Sequence, residues 1–163
     1  MKVEHFKKQH SEILQIFSNI QEKISSGTSQ ESISDVVFLL TSLSDKLDNH
    51  LKIEDKYLYP SLKKEDQPDL VRFIANQFID EMGKVYSDFK EFEKKWPKEN
   101  ILNNPSFFIN ETNNLFLAVK ERVEKEEKIL FVLLENNKIL EYFSQLLHDP
   151  ANSFSMTQNQ TDS

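Results

Sequence analysis

The sequence predicts an all-α fold, assembled as an up-down-up-down four-helix bundle. Glycine and proline are scarce, at 2 and 5 of 163 residues, so the chain lacks the turn residues that many short strands need. Apolar residues recur in steps of three and four along four segments of similar length, joined by mostly short linkers. We expect the bundle to span residues 1–148, with a short fifth helix packing outside it over 139–147 and a disordered polar tail over 149–163.

The first two helices are separated by a break at Ser26, Gly27 and Thr28. The first is predicted over residues 2–25, and Thr28 with Glu31 predicts a capping box for the second. Pro60 should kink or end the second helix. The seam of the first helix is Val3, Phe6, His10, Ile13, Phe17, Ile20 and Ile24. The seam of the second is Ile33, Val36, Leu40, Leu43, Leu47, His50, Glu54 and Tyr57.

Prolines also mark the limits of the third and fourth helices. Asp66 and Pro68 indicate where the third helix begins, Pro97 closes it, and Asn104 followed by Pro105 opens the fourth. The third seam is Ile74, Phe78, Glu81 or Met82, Val85, Phe89, Phe92 and Trp96. The fourth is Phe108, Thr112, Leu115, Val119, Arg122, Glu126, Ile129 and Leu133.

Charge and composition exclude several classes of function. A formal net charge of −7 argues against binding to nucleic-acid phosphates or to an anionic membrane surface. The chain has no cysteine, which rules out disulfides, zinc fingers and thiol chemistry. No apolar run approaches the length of a membrane span, and the N-terminus lacks the apolar core of a signal peptide. We therefore expect a cytoplasmic protein.

Polar residues interrupt the seams at similar depth in the bundle. His10 lies in the first seam, His50 and Glu54 in the second, and Arg122 and Glu126 in the fourth. Burying an unpaired charge costs several kcal/mol, so either a metal ion or an ion-pair network should compensate for this cluster. His50 and Glu54 are four residues apart and share one helix face. A nitrogen and an oxygen ligand suit iron, manganese or zinc, although this pair alone fits a buried hydrogen-bonded pair equally well.

A weak internal repeat relates the second and fourth helices. HLKIEDKYLYPSL at 50–62 aligns without gaps with RVEKEEKILFVLL at 122–134. The alignment places His50 on Arg122 and Glu54 on Glu126. The acidic residue after each of these glutamates lies next to the seam and is expected to be solvated rather than ligating.

These segments resemble the hemerythrin-like, His-His-Glu cation-binding family over roughly residues 5–135. HLKIEDKYLYP is similar to the family's His-x-x-x-Glu-acidic-x-x-Leu-aromatic-Pro segment, QHSEIL around His10 to its first histidine segment, and KEEKILF to the second copy of the motif. The resemblance implies a four-helix bundle that holds a non-haem di-iron centre bridged by two carboxylates. Such centres bind oxygen or respond to iron, oxygen or nitric oxide.

The chain departs from the family pattern at two histidine positions. Phe78, or Gln77 if the register slips by one, stands at the first of them, and Arg122 stands at the second. A guanidinium is always charged and cannot ligate a metal. We expect Arg122 to replace the second cation, pairing with Glu54 and Glu126. Phe78 would fill the remaining volume.

The resemblance then implies four ligands for a single metal ion: His10, His50, Glu54 and Glu126. The expected cofactor is one iron ion, with manganese, zinc or no metal as alternatives. The third helix contributes a further polar partner if its seam passes through Glu81 rather than Met82.

Two classes of function follow from this site. The first is a metal-binding sensor whose partners are the metal ion, O2 or another small diatomic ligand, and a protein. The second is a metal-free bundle that serves as a protein-interaction scaffold, with the two histidines, the two glutamates and Arg122 joined in an ion-pair network. We expect no enzymatic activity, because the sequence indicates neither an open coordination position nor a substrate pocket.

Overall fold

The computed structural model describes residues 3–135 and confirms the predicted all-α bundle. The expected fifth helix and polar tail lie outside these residues. The elements in chain order are α1 (Glu4–Ser26), α2 (Gln30–Ile53), a first π-helical turn (Glu54–Leu58), α3 (Tyr59–Leu62), α4 (Asp69–Lys95), α5 (Lys98–Asn103), α6 (Pro105–Lys125), a second π-helical turn (Glu126–Leu130) and α7 (Phe131–Glu135). Between residues 3 and 135, no helix has both the length and the apolar character that a bilayer crossing requires.

Local sequence explains most helix boundaries. Pro68 precedes the first residue of α4, and Asn104 precedes Pro105 at the start of α6, as predicted. The predicted capping box at the start of α2 is wrong. Ser29, one residue after Thr28, is the N-cap, and its hydroxyl accepts a hydrogen bond from the backbone N–H of Ser32 at 3.2 Å. The cap must directly precede the first helical residue, and Ser29 occupies that position in an extended conformation.

A polar layer divides the bundle core into two apolar clusters. The larger cluster includes Ile13 on α1, Leu47 on α2 and Val119 on α6. The smaller includes Phe6 on α1 and Leu130 after α6. His10, His50 and Glu126 fall between these two groups along their helices, and all three are buried. The polar residues therefore form a cross-section of the core rather than a patch at its edge.

The two π-helical turns shift the seam by one residue. The regular α-helical pattern predicts that Tyr57 and Ile129 face the core, but these side chains are 48% and 39% exposed. Leu58 and Leu130 are fully buried instead, at 0% each. A π-helical turn contains one more residue than an α-helical turn, so every residue after it is rotated relative to the expected pattern.

Candidate metal centre

The structure brings together the four residues that the sequence singles out as metal ligands. His10, His50, Glu54 and Glu126 each offer one ligand atom, and these atoms all lie within 4.8 Å of one another. The side chains come from α1, from the end of α2 and from the first residue of each π-helical turn. All four are buried, with exposed fractions of 0–3%.

Each π-helical turn aims a carboxylate and an aromatic ring at the same space. The backbone N–H of Tyr59 donates to the carbonyl of Glu54, and that of Phe131 donates to the carbonyl of Glu126. This spacing of five residues brings both side chains to the inner face, whereas an α-helix would separate them by more than a quarter turn. Phe131 stacks on His10, with ring centroids 5.5 Å apart. Tyr59 and Phe131 align in the internal repeat, but a regular helix did not predict that their rings face the core.

Both histidines direct Nε2 towards the centre and Nδ1 away from it. His10 Nδ1 lies 2.9 Å from Glu127 Oε1, and His50 Nδ1 lies 3.0 Å from Gln9 Oε1. Both partners are acceptors, so each Nδ1 carries a hydrogen, and the Nε2 of a neutral imidazole then presents its lone pair to the centre. Outer partners of this kind commonly orient metal-binding imidazoles.

The sequence did not predict that Glu127 and Gln9 orient the two histidines. Glu127 was expected to be solvated, and its side chain is 36% exposed while still bonding to His10. Both residues adjoin a predicted ligand in sequence, Gln9 next to His10 and Glu127 next to Glu126. Their adjacency was visible in the sequence, but which atoms they contact depends on how the helices pack.

The Nε2 atoms of His10 and His50 are so close together that a proton or a metal ion should lie between them. His10 Nε2 is 3.2 Å from His50 Nε2 and 3.1 Å from Glu126 Oε2. Two lone pairs and a carboxylate oxygen at these distances repel one another unless a proton or a metal ion lies among them. Burial, followed by the charge of His10, lowers the pKa of His50 to about 4, so His50 itself is neutral near neutral pH.

The two glutamates differ in their protonation. Burial alone would raise the pKa of Glu126, but the hydrogen bond with His10 and the charge of Arg122 outweigh it and lower the pKa below its ordinary value. Burial and the nearby charge of Glu126 raise the pKa of Glu54 well above its ordinary value. In the metal-free site, Glu126 therefore loses its proton more readily than Glu54 does.

Glu54 lacks a hydrogen-bond partner. Both of its carboxyl oxygens are buried and accept no hydrogen bond. His50 is close, with its Nε2 3.3 Å from Glu54 Oε1, but the contact lacks hydrogen-bond geometry. Buried polar atoms almost always have partners, so a cation bound by Glu54 and the two histidines would satisfy them.

Arg122 lies at one side of the site, and its contacts match the prediction only in part. Its Nε donates to Glu126 Oε1 at 2.5 Å, as predicted, while the predicted pairing with Glu54 is not formed. One terminal nitrogen instead donates to the Tyr59 hydroxyl at 3.1 Å and to the Phe78 carbonyl at 2.6 Å. These bonds turn the guanidinium away from Glu54, and so Arg122 balances one carboxylate rather than two.

The structure also resolves the register of the third seam. Phe78 and Met82 face the core, with exposed fractions of 6% and 8%, and the Phe78 ring centroid lies 4.3 Å from the guanidinium carbon of Arg122. Gln77 is exposed. Glu81 lies outside the seam with its side chain 49% exposed, yet its Oε2 comes within 3.4 Å of an Arg122 nitrogen.

The donor set fits a single divalent cation. Two imidazole nitrogens and two carboxylate oxygens suit iron, manganese or zinc. If both glutamates were ionised, Arg122 would offset one of the two negative charges. The second charge must be removed by a proton on Glu54 or offset by a bound cation. The Phe78 ring and the Arg122 guanidinium pack against each other beside these ligands, with the ring centroid 4.3 Å from the guanidinium carbon.

Comparison with known proteins agrees with this arrangement. The model of the hemerythrin HHE cation-binding domain matches residues 1–134. A search of curated proteins found no match, and a search of solved structures found none either. The matched region includes every residue of the polar layer, from His10 to Glu127. The chain therefore belongs to the hemerythrin HHE cation-binding domain family.

Proposed function

We propose that this protein is a binding module for a single metal ion, held by His10, His50, Glu54 and Glu126. The observation that carries the proposal is the pair of buried Glu54 oxygens without a hydrogen-bond partner. The inward lone pairs of the two histidines support it, because they converge on the same space. A bound cation would interact with all of these groups at once. A proton on Glu54 would not remove the repulsion between the two Nε2 lone pairs of the histidines.

We propose iron as the metal and sensing as the role. The family membership supports metal binding, and iron would supply one-electron redox chemistry and affinity for oxygen or another small diatomic ligand. The protein's own residues hold the ion in a dry layer, orient both imidazoles through Glu127 and Gln9, and fix the charge of Glu126 through Arg122. A protein partner would read out the state of the site. Four protein ligands favour binding and signalling over turnover of a substrate, so we do not propose an enzyme.

The direct test is elemental analysis of protein purified without a chelating affinity column, from cells supplied with iron, manganese and zinc. We expect about one metal ion per chain, and its loss in Glu54→Gln, because the neutral amide cannot supply the ligand charge. Glu111→Gln is the matched control, since Glu111 bonds to Trp96 rather than to the site and should leave the metal in place. A folded wild-type protein that contains no metal under these conditions would refute the proposal.

A metal-free scaffold is the second candidate, and the contacts of Arg122 favour it. The guanidinium reaches Glu126, Tyr59, Phe78 and Glu81, so part of the charge of the polar layer is already balanced without a metal. In this case, function would reside in the surface of the bundle and a protein partner. Metal-free wild-type protein that retains a co-purified partner in the presence of chelator would support the scaffold and exclude the sensor.

A further inference from the structure

A cleft on the outside of the bundle lies directly behind the candidate metal site. It has a volume of about 310 Å³ and runs between α2 with its π-helical turn on one side and α4 on the other. Leu51 and Tyr59 line it from the first side, and Met82 and Gly83 from the second. The cleft is deep enough to admit several water molecules or a hydrated ion.

Tyr59 belongs to both the cleft and the site. Its side chain lines the cleft, while its hydroxyl accepts a hydrogen bond from Arg122 at 3.1 Å. Leu51 lies three residues before Glu54, so the two side chains occupy neighbouring positions on one helix face. Tyr59 therefore connects the cleft to the Arg122 side of the site, and Leu51 adjoins Glu54 along their helix.

The ligands themselves are shut off from solvent, with exposed fractions of 0–3%, so an ion can reach them only if a side chain moves. Approach from the histidine side would break the bonds of His10 to Glu127 and of His50 to Gln9. It would also disturb the ligands and the stacked Phe131. Approach from the cleft would require Tyr59 to give up its bond to Arg122 and turn towards the cleft that it lines, and it leaves the bonds of both histidines in place.

We infer that the cleft between α2 and α4 is the port through which a small ion reaches the metal site, and that Tyr59 is its gate. This inference rests on the proposed function. It assigns a role to Gly83, which faces Tyr59 across the cleft. A Cβ atom at Gly83 would meet no atom within 4 Å, so the missing side chain leaves the port open rather than relieving a clash.

The test compares Gly83→Leu with Gly83→Ala. Leucine places its side chain in the port, alanine adds only a methyl group, and both favour the helix more than glycine does, so both variants should fold. Stopped-flow absorbance follows the binding of Co2+ to metal-free protein, and a chelator then gives the release rate. We expect Gly83→Leu to slow binding and release by the same factor, about tenfold, with the dissociation constant unchanged, and Gly83→Ala to match the wild type.

A second variant tests the gate from the opposite direction. Tyr59→Phe keeps the ring but removes the hydroxyl that bonds to Arg122. If Tyr59 is the gate, binding and release of Co2+ should both become faster. Unchanged rates in this variant would show that the hydroxyl does not hold the port closed.

The outcomes separate the port from the metal site itself. If wild-type protein binds Co2+ and Gly83→Leu has wild-type rates, the port is refuted while the metal site stands. A changed dissociation constant with an unchanged binding rate would mean that leucine disturbs the ligands, and would also refute the port. If wild-type protein binds no Co2+, both the port and the proposed function fail.

Discussion

Glu54 and Glu126 occupy equivalent positions in the bundle, but only Glu126 has a cation beside it. Each is the first residue of a π-helical turn, and their exposed fractions are 0% and 1%. Arg122 donates to Glu126 at 2.5 Å, whereas the oxygens of Glu54 have no hydrogen-bond partner. The asymmetry of the site thus comes from Arg122 on α6, which bonds to one glutamate and not to the other.

We expect Glu54→Gln to stabilise the metal-free protein while abolishing metal binding. The pKa of Glu54 is raised above its ordinary 4.5 in the folded state, so the free energy of unfolding falls as pH rises from 4.5 through that raised value. Glutamine cannot ionise, and the variant should lack this fall. Denaturant unfolding in chelator at several pH values measures the difference. Parallel pH profiles for wild type and variant would show that Glu54 does not titrate in this window.

His50 should make the metal-free protein sensitive to acid. The pKa of His50 falls from 6.5 in the unfolded chain to about 4 in the folded protein. Between these two pH values, the imidazole is protonated in the unfolded chain and neutral in the folded protein. Stability contributed by the neutral imidazole is fully present above pH 6.5 and is lost as pH falls towards 4, by roughly 3 kcal/mol. Urea unfolding across this range should show a shallower loss in His50→Gln. Equal losses in both proteins would contradict the assignment.

Replacing Arg122 by methionine should destabilise the bundle strongly. The change leaves Glu126 as a buried carboxylate without its cation and removes the donor to the Phe78 carbonyl, a loss of about 3–5 kcal/mol. Arg72→Met is the control, because Arg72 pairs with Asp69 at the surface, where such pairs contribute about 1 kcal/mol or less. Chemical denaturation of both variants in chelator makes the comparison. A similar small effect in both would mean that Arg122 is not needed to balance Glu126.

The double variant Phe78→His with Arg122→His should restore a second metal position. It removes the guanidinium and the aromatic ring from the far side of the site and supplies a histidine from each of α4 and α6. We expect about two iron ions per chain by elemental analysis, accompanied by the near-ultraviolet absorption of an oxygen-bridged iron pair. Phe78→His alone should still bind about one, because the charge of Arg122 continues to repel a second cation. A double variant that folds and remains at one ion would show that the missing histidines do not explain the single site.

Sequence periodicity predicted the bundle and the polar positions within its seams, because these features depend on regular spacing, and the family resemblance implied that four of these positions are ligands. His10 lies on the regular helix α1, His50 precedes the first π-helical turn, and Glu54 and Glu126 begin the two turns, so the regular pattern located all four. Leu58 and Leu130 follow those points and were missed in favour of Tyr57 and Ile129.

Other contacts depend on where helices distant in sequence come to lie. The bond from Arg122 to Tyr59 joins residues 63 positions apart, and that from His10 to Glu127 joins residues 117 apart. No local pattern encodes either contact. The same limit applies to the position of the Arg122 guanidinium, which depends on the Phe78 carbonyl as well as on charge.

The paired π-helical turns mean that this site can be considered as two single-residue insertions in an otherwise ordinary bundle. Deleting one residue from the exposed part of either turn, such as Tyr57 in the first, would return the following helix to regular phase. The glutamate and the aromatic residue would then be four positions apart, a spacing that places both side chains on one face of a regular α-helix. The extra residue in each turn is therefore accommodated as a bulge on the exposed side, and the residues that face the centre are the ones that a regular helix one residue shorter would place there.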